Sequence, residues 1–235
     1  MAGIFVLEKR LMPFFLINEQ KFTAMQKQKT IYHLIVDKSG SMSDCIEQTI
    51  SGFNEQVSKI REIEQSFPDQ EVVIGLTTFN HQVYHHFFQS PTAAVKKLTT
   101  ATYQPNGTTA LLDAIGKTAS TIEKEIQEEK DRLNTTVVIV ILTDGHENAS
   151  EVYKHSDIKT MISRLEETGK WTFTFMGATL DAIDVAAAMS IKSQNSMCFS
   201  KDNMQAETYD TLSKSMFSYL EKKRKGENLD DFLSK

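Results

Sequence analysis

Hydrophobic positions along the chain follow two patterns that alternate with each other. Continuous apolar runs, such as residues 31–36 and 136–143, predict strands that are buried on both faces. Between such runs, apolar residues recur every three to four positions, which predicts amphipathic helices; the stripe from Ile46 to Ile63 is an example. This alternation predicts an α/β fold with a doubly wound, mostly parallel central sheet and helices on both faces.

One pair of predicted strands departs from this alternation. Residues 72–79 and 83–88 both have strand patterns, and just residues 80–82 separate them. A parallel crossover needs about a dozen residues, so we predict a hairpin whose second strand is the antiparallel edge of the sheet. His81, His85 and His86 fall on this hairpin. Neighbouring residues of a strand point to opposite faces, so we interpret these histidines as a solvated edge rather than a metal site.

The domain boundaries follow from where the alternation begins and ends. The chain has 235 residues, enough for one sizeable domain. We predict an N-terminal extension over residues 1–29, the domain over residues 30–222 and a charged, frayed tail over residues 223–235. Residues 9–17 faintly resemble a signal peptide, but Pro13 interrupts them and no clear cleavage site follows. Two hypotheses stay open: residues 1–24 are loosely attached, or Met25 is the true start.

Composition narrows the location and the class of partner. The net charge is -5, which argues against a general nucleic-acid binder. No apolar stretch of the sequence reaches the roughly 18 residues that a membrane span needs. Cys45 and Cys198 are too few for a disulfide framework, so we expect reduced thiols. The sequence therefore predicts a cytoplasmic protein without a nucleic-acid or membrane partner.

Polar loops follow the predicted strands at the edge where ligands bind in open α/β sheets. Asp37–Ser41 follows the first strand, Asp144–Gly145 follows the strand at residues 136–143, and Gly107–Thr109 precedes a helix. Each loop alone could be an ordinary turn. Together they offer two carboxylates and several hydroxyls, a set of oxygen ligands that suits Mg²⁺ better than Zn²⁺. The three loops predict a metal site at one edge of the sheet.

The same three motifs resemble a known family. Asp-Lys-Ser-Gly-Ser-Met at residues 37–42, Gly-Thr-Thr-Ala-Leu at 107–111 and Thr-Asp-Gly at 143–145 resemble the von Willebrand factor type A (vWA) domain. More narrowly, they resemble its small stand-alone bacterial members. The resemblance covers about residues 30–220 and implies a Rossmann-like fold with a metal-ion-dependent adhesion site.

The resemblance also implies the residues of that site. They are Asp37, Ser39, Ser41, Thr109 and Asp144. Thr109 matches the family's threonine when counted back from Asp113, and Thr108 stays the alternative. The implied ion is Mg²⁺, with Mn²⁺ or Ca²⁺ as alternatives. The implied function is not catalysis but binding of a protein partner, whose Asp or Glu reaches the shared cation.

Two other functions stay open on the sequence. One is a Mg²⁺-dependent hydrolase on a similar sheet, although Ser39 stands where such enzymes often carry a second carboxylate for acid–base work. The other is a scaffold whose metal only stabilises the fold. Around the site, we expect Met42, Asn106 and Thr179 to tune the choice of partner. Glu147 is either a further contact to the cation or partner, or a loop residue.

Overall fold

The computed structural model describes residues 27–129, 132–204 and 208–233, and these build a six-stranded sheet. The strand order is β3-β2-β1-β4-β5-β6. All neighbouring strands are parallel except β2 and β3, which form the antiparallel hairpin at one edge. The predicted fold class is therefore confirmed. The strands are β1 Gln28–Asp37, β2 Gln70–Phe79, β3 Val83–Pro91, β4 Thr135–Thr143, β5 Trp171–Gly177 and β6 Ser196–Cys198.

Helices cover both faces of this sheet, and alternate residues of the central strands pack against them. The helices are α1 Ile46–Gln65, α2 Leu111–Glu128, α3 His155–Glu166, α4 Ala182–Ala188 and α5 Asp210–Lys225. Tyr32, Leu34 and Val36 of β1 lie in a core with α1 and α5. Ile31 and Ile35 face a second core with α2, α3 and α4. Because β1 contributes to both cores, its sequence reads as a continuous apolar run. None of the described helices is long and apolar enough to cross a membrane.

The central pair of strands decides where the polar loops lie. β1 and β4 pair in parallel, with Val36 opposite Leu142. Every residue of β4 is buried, as expected of a central strand rich in valine and isoleucine. Since the two strands are in register and point the same way, the residues that follow Val36 and Leu142 emerge side by side at the carboxyl edge.

Two local expectations differ from the structure. Residues 92–98 predict a short helix, but a single 3-10 turn forms there, Thr92–Ala94. The charged tail after residue 222 is also not frayed over the part that the structure describes. The ammonium of Lys223 is buried and donates to the carbonyl of Lys29 and to Thr30 and Thr136, at 2.6–2.9 Å. The charge pattern of the tail cannot show that Lys223 finds backbone and hydroxyl acceptors at the start of the sheet.

Phe232 extends this packing to the end of the described chain. It is 1% exposed and lies against Tyr32 and Tyr219, with ring centroids 6.0 and 5.8 Å apart. Residues 223–233 are therefore part of the packed structure. β1 already begins at Gln28, inside the predicted extension 1–29, whose first 26 residues lie outside the described residues. The predicted domain boundaries otherwise stay a prediction.

Phe232→Ala should lower the free energy of unfolding by about 3–5 kcal/mol, because it leaves a cavity among buried aromatic rings. Phe217→Ala is the matched control, since Phe217 is 42% exposed, and should cost about 1 kcal/mol or less. Urea unfolding followed by circular dichroism measures both. Equal, small losses would show that the C-terminal segment does not pack on the domain.

Candidate metal centre

Asp37 and Asp144 leave adjacent strands at the carboxyl edge of the sheet. Asp37 ends β1, and Asp144 follows Thr143, the last residue of β4. Asp37 is 0% exposed and Asp144 is 8% exposed. Two carboxylates are thus held close to the protein interior, where an uncompensated negative charge is unfavourable.

Both oxygens of Asp37 accept short hydrogen bonds. The backbone N–H of Ser39 donates to Oδ1 at 2.6 Å, and the hydroxyl of Thr143 donates to Oδ2 at 2.6 Å. Burial nevertheless raises the pKa of Asp37 to about 6; the bonds from Thr143 and Ser39 lower it by less, and nearby Asp144 raises it further. The carboxylate is held in a fixed position but lacks a full counter-charge from these donors.

Ser39 and Ser41 connect this aspartate to the second one. Ser39 directly precedes the 3-10 turn Gly40–Cys45, which contains Ser41. The two hydroxyl oxygens are 3.1 Å apart, and the hydroxyl of Ser41 donates to Asp144 Oδ1 at 2.7 Å. A continuous polar chain therefore runs from the end of β1 to the end of β4.

Thr109 enters the site from the loop before α2. Asn148 holds it at two points: the N–H of Thr109 donates to Asn148 Oδ1 at 2.9 Å, and the N–H of Asn148 donates to the Thr109 carbonyl at 3.0 Å. Thr109 is 3% exposed, whereas Thr108 is exposed to solvent. Of the two threonines that the sequence left open, the structure places Thr109 at the site.

Backbone hydrogen bonds tie this loop to the first one. The N–H of Gly40 donates to the carbonyl of Gly107 at 3.0 Å, and the N–H of Asn106 donates to the carbonyl of Lys38 at 2.9 Å. Gly107 has a φ of 73°, a left-handed conformation that glycine adopts without strain. Gly107 is thus the residue of this loop with a positive φ, and the neighbouring Asn106 does not have one.

Side-chain oxygens from two separate loops meet in front of Gly145, which belongs to the third loop. A Cβ atom added at Gly145 would lie 3.1 Å from Thr109 Oγ1 and 3.6 Å from both Asp37 Oδ2 and Ser41 Oγ. Glycine leaves this space open. Carboxylate and hydroxyl oxygens converging on one point fit a hard divalent cation such as Mg²⁺. Among the described residues, no group of three or more His, Cys, Asp or Glu side chains could hold a metal, so any ion here must also use hydroxyls.

Lys201 is the cation nearest to Asp144. Oδ2 of Asp144 is buried and accepts no hydrogen bond of ordinary geometry from the described residues, yet Nζ of Lys201 lies 2.5 Å from it as an ion pair. Burial lowers the pKa of Lys201, but Asp144 and Asp44 together raise it above its ordinary value. Lys201 therefore carries a full positive charge at the edge of the site.

A sequence profile now decides the family. The profile of the von Willebrand factor type A domain matches residues 33–214, which include all three loops. The chain belongs to this family. No curated protein sequence matches the chain significantly.

Solved vWA structures share the fold at low sequence identity. Proximal thread matrix protein 1 from the mussel byssus has 15% identity and a TM-score of 0.51, over 80% of this chain and 46% of that one. The PilB minor pilin from Streptococcus sanguinis has 13% identity and a TM-score of 0.53, over 83% and 62%. Manganese-loaded TRAP protein from Plasmodium vivax has 12% identity and a TM-score of 0.50, over 76% and 71%. These likenesses show the fold alone, and the chain spans less than half of the mussel protein.

Two expected neighbours of the vWA site have other roles. Glu147 accepts hydrogen bonds from the N–H groups of Leu112, Ala149 and Ser150 at 2.7–2.9 Å, so it holds its own loop against the start of α2. Met42 is 0% exposed and belongs to the core with α1. Its predicted role in partner choice is wrong, because its side chain cannot reach a partner.

The sequence reasoning missed Lys201, Thr143 and Asn148. Thr143 was visible as the last residue of a strand, but its hydroxyl could not be assigned to Asp37 without the register of β1 and β4. Asn148 follows the Thr-Asp-Gly motif closely, and an asparagine in that position could have been predicted to hydrogen-bond a neighbouring loop. Lys201 lies far from every motif in the sequence and carries no signal of its own.

The raised pKa of Asp37 predicts a pH-dependent stability of the metal-free domain. A group whose pKa is higher when folded stabilises the fold at low pH and loses this contribution as pH rises through about 6. Asparagine does not ionise, so Asp37→Asn avoids this fall in stability. In EDTA at pH 7.5 the variant should be more stable than wild type by up to about 3 kcal/mol.

Thermal and urea unfolding in EDTA between pH 4 and pH 7.5 measure this difference. The advantage of Asp37→Asn should shrink to nearly nothing at pH 4, where the wild-type carboxyl is protonated. A constant advantage across the range would mean that the carboxylate is not destabilised by burial.

Proposed function

We propose that this vWA domain is a divalent-cation-dependent protein-binding module that uses Mg²⁺ in the cell. Asp37, Ser39, Ser41, Thr109 and Asp144 would hold the ion. The observation that carries the proposal is the convergence of Thr109, Asp37 and Ser41 oxygens within 3.6 Å of one point in front of Gly145. Loops that are distant in sequence and share one open point are hard to explain as separate turns.

The ligand chemistry supports a hard cation. Two carboxylates and three hydroxyls provide oxygen ligands, and Mg²⁺ keeps waters when a protein supplies only part of its shell. The manganese-loaded TRAP structure supports a divalent ion in this fold, and Mn²⁺ or Ca²⁺ are the alternatives to Mg²⁺. A bound cation would supply a positive charge with a coordination position for a carboxylate from outside the chain.

The hydrogen bonds inside the site favour an acidic partner. Both oxygens of Asp37 are engaged by Ser39 and Thr143, and Asp144 is engaged by Ser41 and Lys201. Carboxylates that are already hydrogen-bonded within the chain neutralise an ion less than free ones would. The site then attracts a further negative ligand, an Asp or Glu of a partner protein.

The rim of the site offers a surface for the rest of that partner. His146, two residues after Asp144, lies 3.8 Å from the carboxylate of Asp181. Leu180 is beside Asp181 and is 100% exposed. Ala178 and Thr179 belong to the same loop, which follows β5 at the same edge of the sheet. An exposed leucine next to a cation site suits a partner with an apolar side chain near its carboxylate.

We propose a binding role rather than catalysis. The hydrolase alternative needs a general acid or base near the nucleophile. Glu147, a further carboxylate on the Asp144 loop, is committed to N–H donors of its own loop and of α2. The absence of a nucleic-acid or membrane partner and a cytoplasmic location stay predictions from the sequence. Membership of the small stand-alone bacterial type stays a prediction from the motif resemblance.

Thr109→Val should weaken Mn²⁺ binding by at least about tenfold, because losing even an outer-shell partner of a metal site costs that much. Thr108→Val is the matched control, since Thr108 is exposed, and should bind Mn²⁺ like wild type. Electron paramagnetic resonance titration of free Mn²⁺ gives both dissociation constants. A loss in Thr108→Val instead would assign the ligand to the other threonine.

Partner capture tests the function itself. Immobilised wild-type domain should retain a protein from its native lysate in Mg²⁺ and release it in EDTA. Ser41→Ala should capture at least about tenfold less, since it removes a proposed ligand. Ser43→Ala should capture normally, because Ser43 lies in the same 3-10 turn but its hydroxyl donates to the carbonyl of Gly40 and not to Asp144.

The scaffold alternative gives a different result. If the metal only stabilises the fold, Mg²⁺ at 100 times its dissociation constant still adds about 2.7 kcal/mol to stability, but capture is unaffected by EDTA and by Ser41→Ala. That outcome would replace the proposed binding function.

A further inference from the structure

Lys201 reaches the metal centre from the far end of the chain. It begins the 3-10 turn Lys201–Asn203 that follows β6. Its Nζ lies 2.5 Å from Asp144 Oδ2, 2.7 Å from the carbonyl oxygen of Ser41 and 3.0 Å from Asp44 Oδ1. Two of these three partners, Ser41 and Asp144, belong to the proposed cation site.

Three oxygens surround this ammonium group, two as hydrogen-bond acceptors and Asp144 Oδ2 as an ion-pair partner. A lysine ammonium has three N–H donors and no acceptor, and three oxygens lie within 3.0 Å of this one. An ordinary surface ion pair contributes little, because water screens both charges. Here the side chain of Asp144 is 0% exposed and that of Lys201 is 28% exposed, so screening is weak. The pair is therefore screened less than a pair between two exposed side chains.

We propose that Lys201 is a tethered cation that competes with the divalent ion for the negative charge of Asp144. It neutralises the carboxylate when no ion is bound, and its positive charge lowers the affinity of the site for a divalent cation. This inference rests on the proposed function, because it concerns the regulation of the same site.

The physical reason is repulsion between like charges at a site with little water. An ammonium that lies 2.5 Å from one proposed ligand stays close to any ion that the five residues hold, and the energy of such a pair grows as screening falls. Lys201 is anchored by Asp44 and by the Ser41 carbonyl as well, so it does not simply swing into solvent. The domain then needs a higher concentration of the divalent cation to bind it, and hence to bind its partner, than it would without Lys201.

Replacing Lys201 tests the idea through metal affinity and stability, without a partner. Lys201→Met should bind Mn²⁺ roughly tenfold more tightly than wild type, which corresponds to about 1.4 kcal/mol of removed repulsion. Lys201→Arg keeps the charge and should stay near the wild-type affinity. Lys59→Met is the remote control, because Lys59 pairs with Glu55 and Asp210 between α1 and α5, and should leave affinity unchanged.

Metal-free stability gives the second readout. In EDTA, Lys201→Met should melt at a lower temperature than wild type, because it leaves a buried carboxylate without its counter-charge. Saturating Mn²⁺ should then raise its melting temperature by more than it raises that of wild type. Lys201→Gln repeats both measurements with a polar side chain, and circular dichroism checks that each variant folds.

The results separate this inference from the proposed function. Wild-type Mn²⁺ binding with unchanged or weaker affinity in folded Lys201→Met and Lys201→Gln would overturn the competition and leave the metal site standing. Absence of Mn²⁺ binding in wild type and in both variants would overturn the metal site and the competition together. Binding that appears only after Lys201 is replaced would support the competition in its strongest form.

Discussion

The parallel pairing of β1 with β4 is the constraint on which the metal centre depends. It brings the ends of two strands, more than a hundred residues apart in sequence, to the same level at one edge of the sheet. Asp37 and Asp144 follow directly from that register, and so does the bond from Thr143 to Asp37. The two cores on either side of the sheet hold the register, since a slip by one residue would exchange the residues that face them.

Placing two carboxylates at that edge creates an electrostatic cost that the surrounding residues offset in different ways. Asp37 is stabilised by hydrogen bonds from Ser39 and Thr143, which carry no charge. Its pKa is still raised to about 6, because burial has a larger effect than these bonds. Asp144 is compensated by the hydroxyl of Ser41 and by the ammonium of Lys201. A positive charge near Asp37 would therefore stabilise the site, whereas Asp144 already has a counter-charge in the ammonium of Lys201. This asymmetry is what makes the domain suited both to bind a cation and to control how readily it does so.

The sequence predicted correctly those features that depend only on the local strand or loop in which a residue lies. The order of strands and helices and the antiparallel edge follow from hydrophobic periodicity, and the position of Asp37 and Asp144 follows from the ends of two apolar runs. The role of Met42 and the frayed tail after residue 222 were predicted wrongly, and the sequence left two alternatives for Glu147, because each depends on contacts with another element. Met42 turns into the core, Glu147 turns towards α2, and Phe232 packs on Tyr32.

The sequence by itself determined the fold class and the chemistry available at the site, because strand patterns and motif residues are local properties of the chain. The tertiary structure decided which oxygens meet in front of Gly145, that Thr109 rather than Thr108 faces them, and that Lys201 joins Asp144. These are distances between residues far apart in sequence, and the register of the sheet and the packing of loops set them. A lysine in a polar stretch has no signature until the fold shows which carboxylate it neutralises.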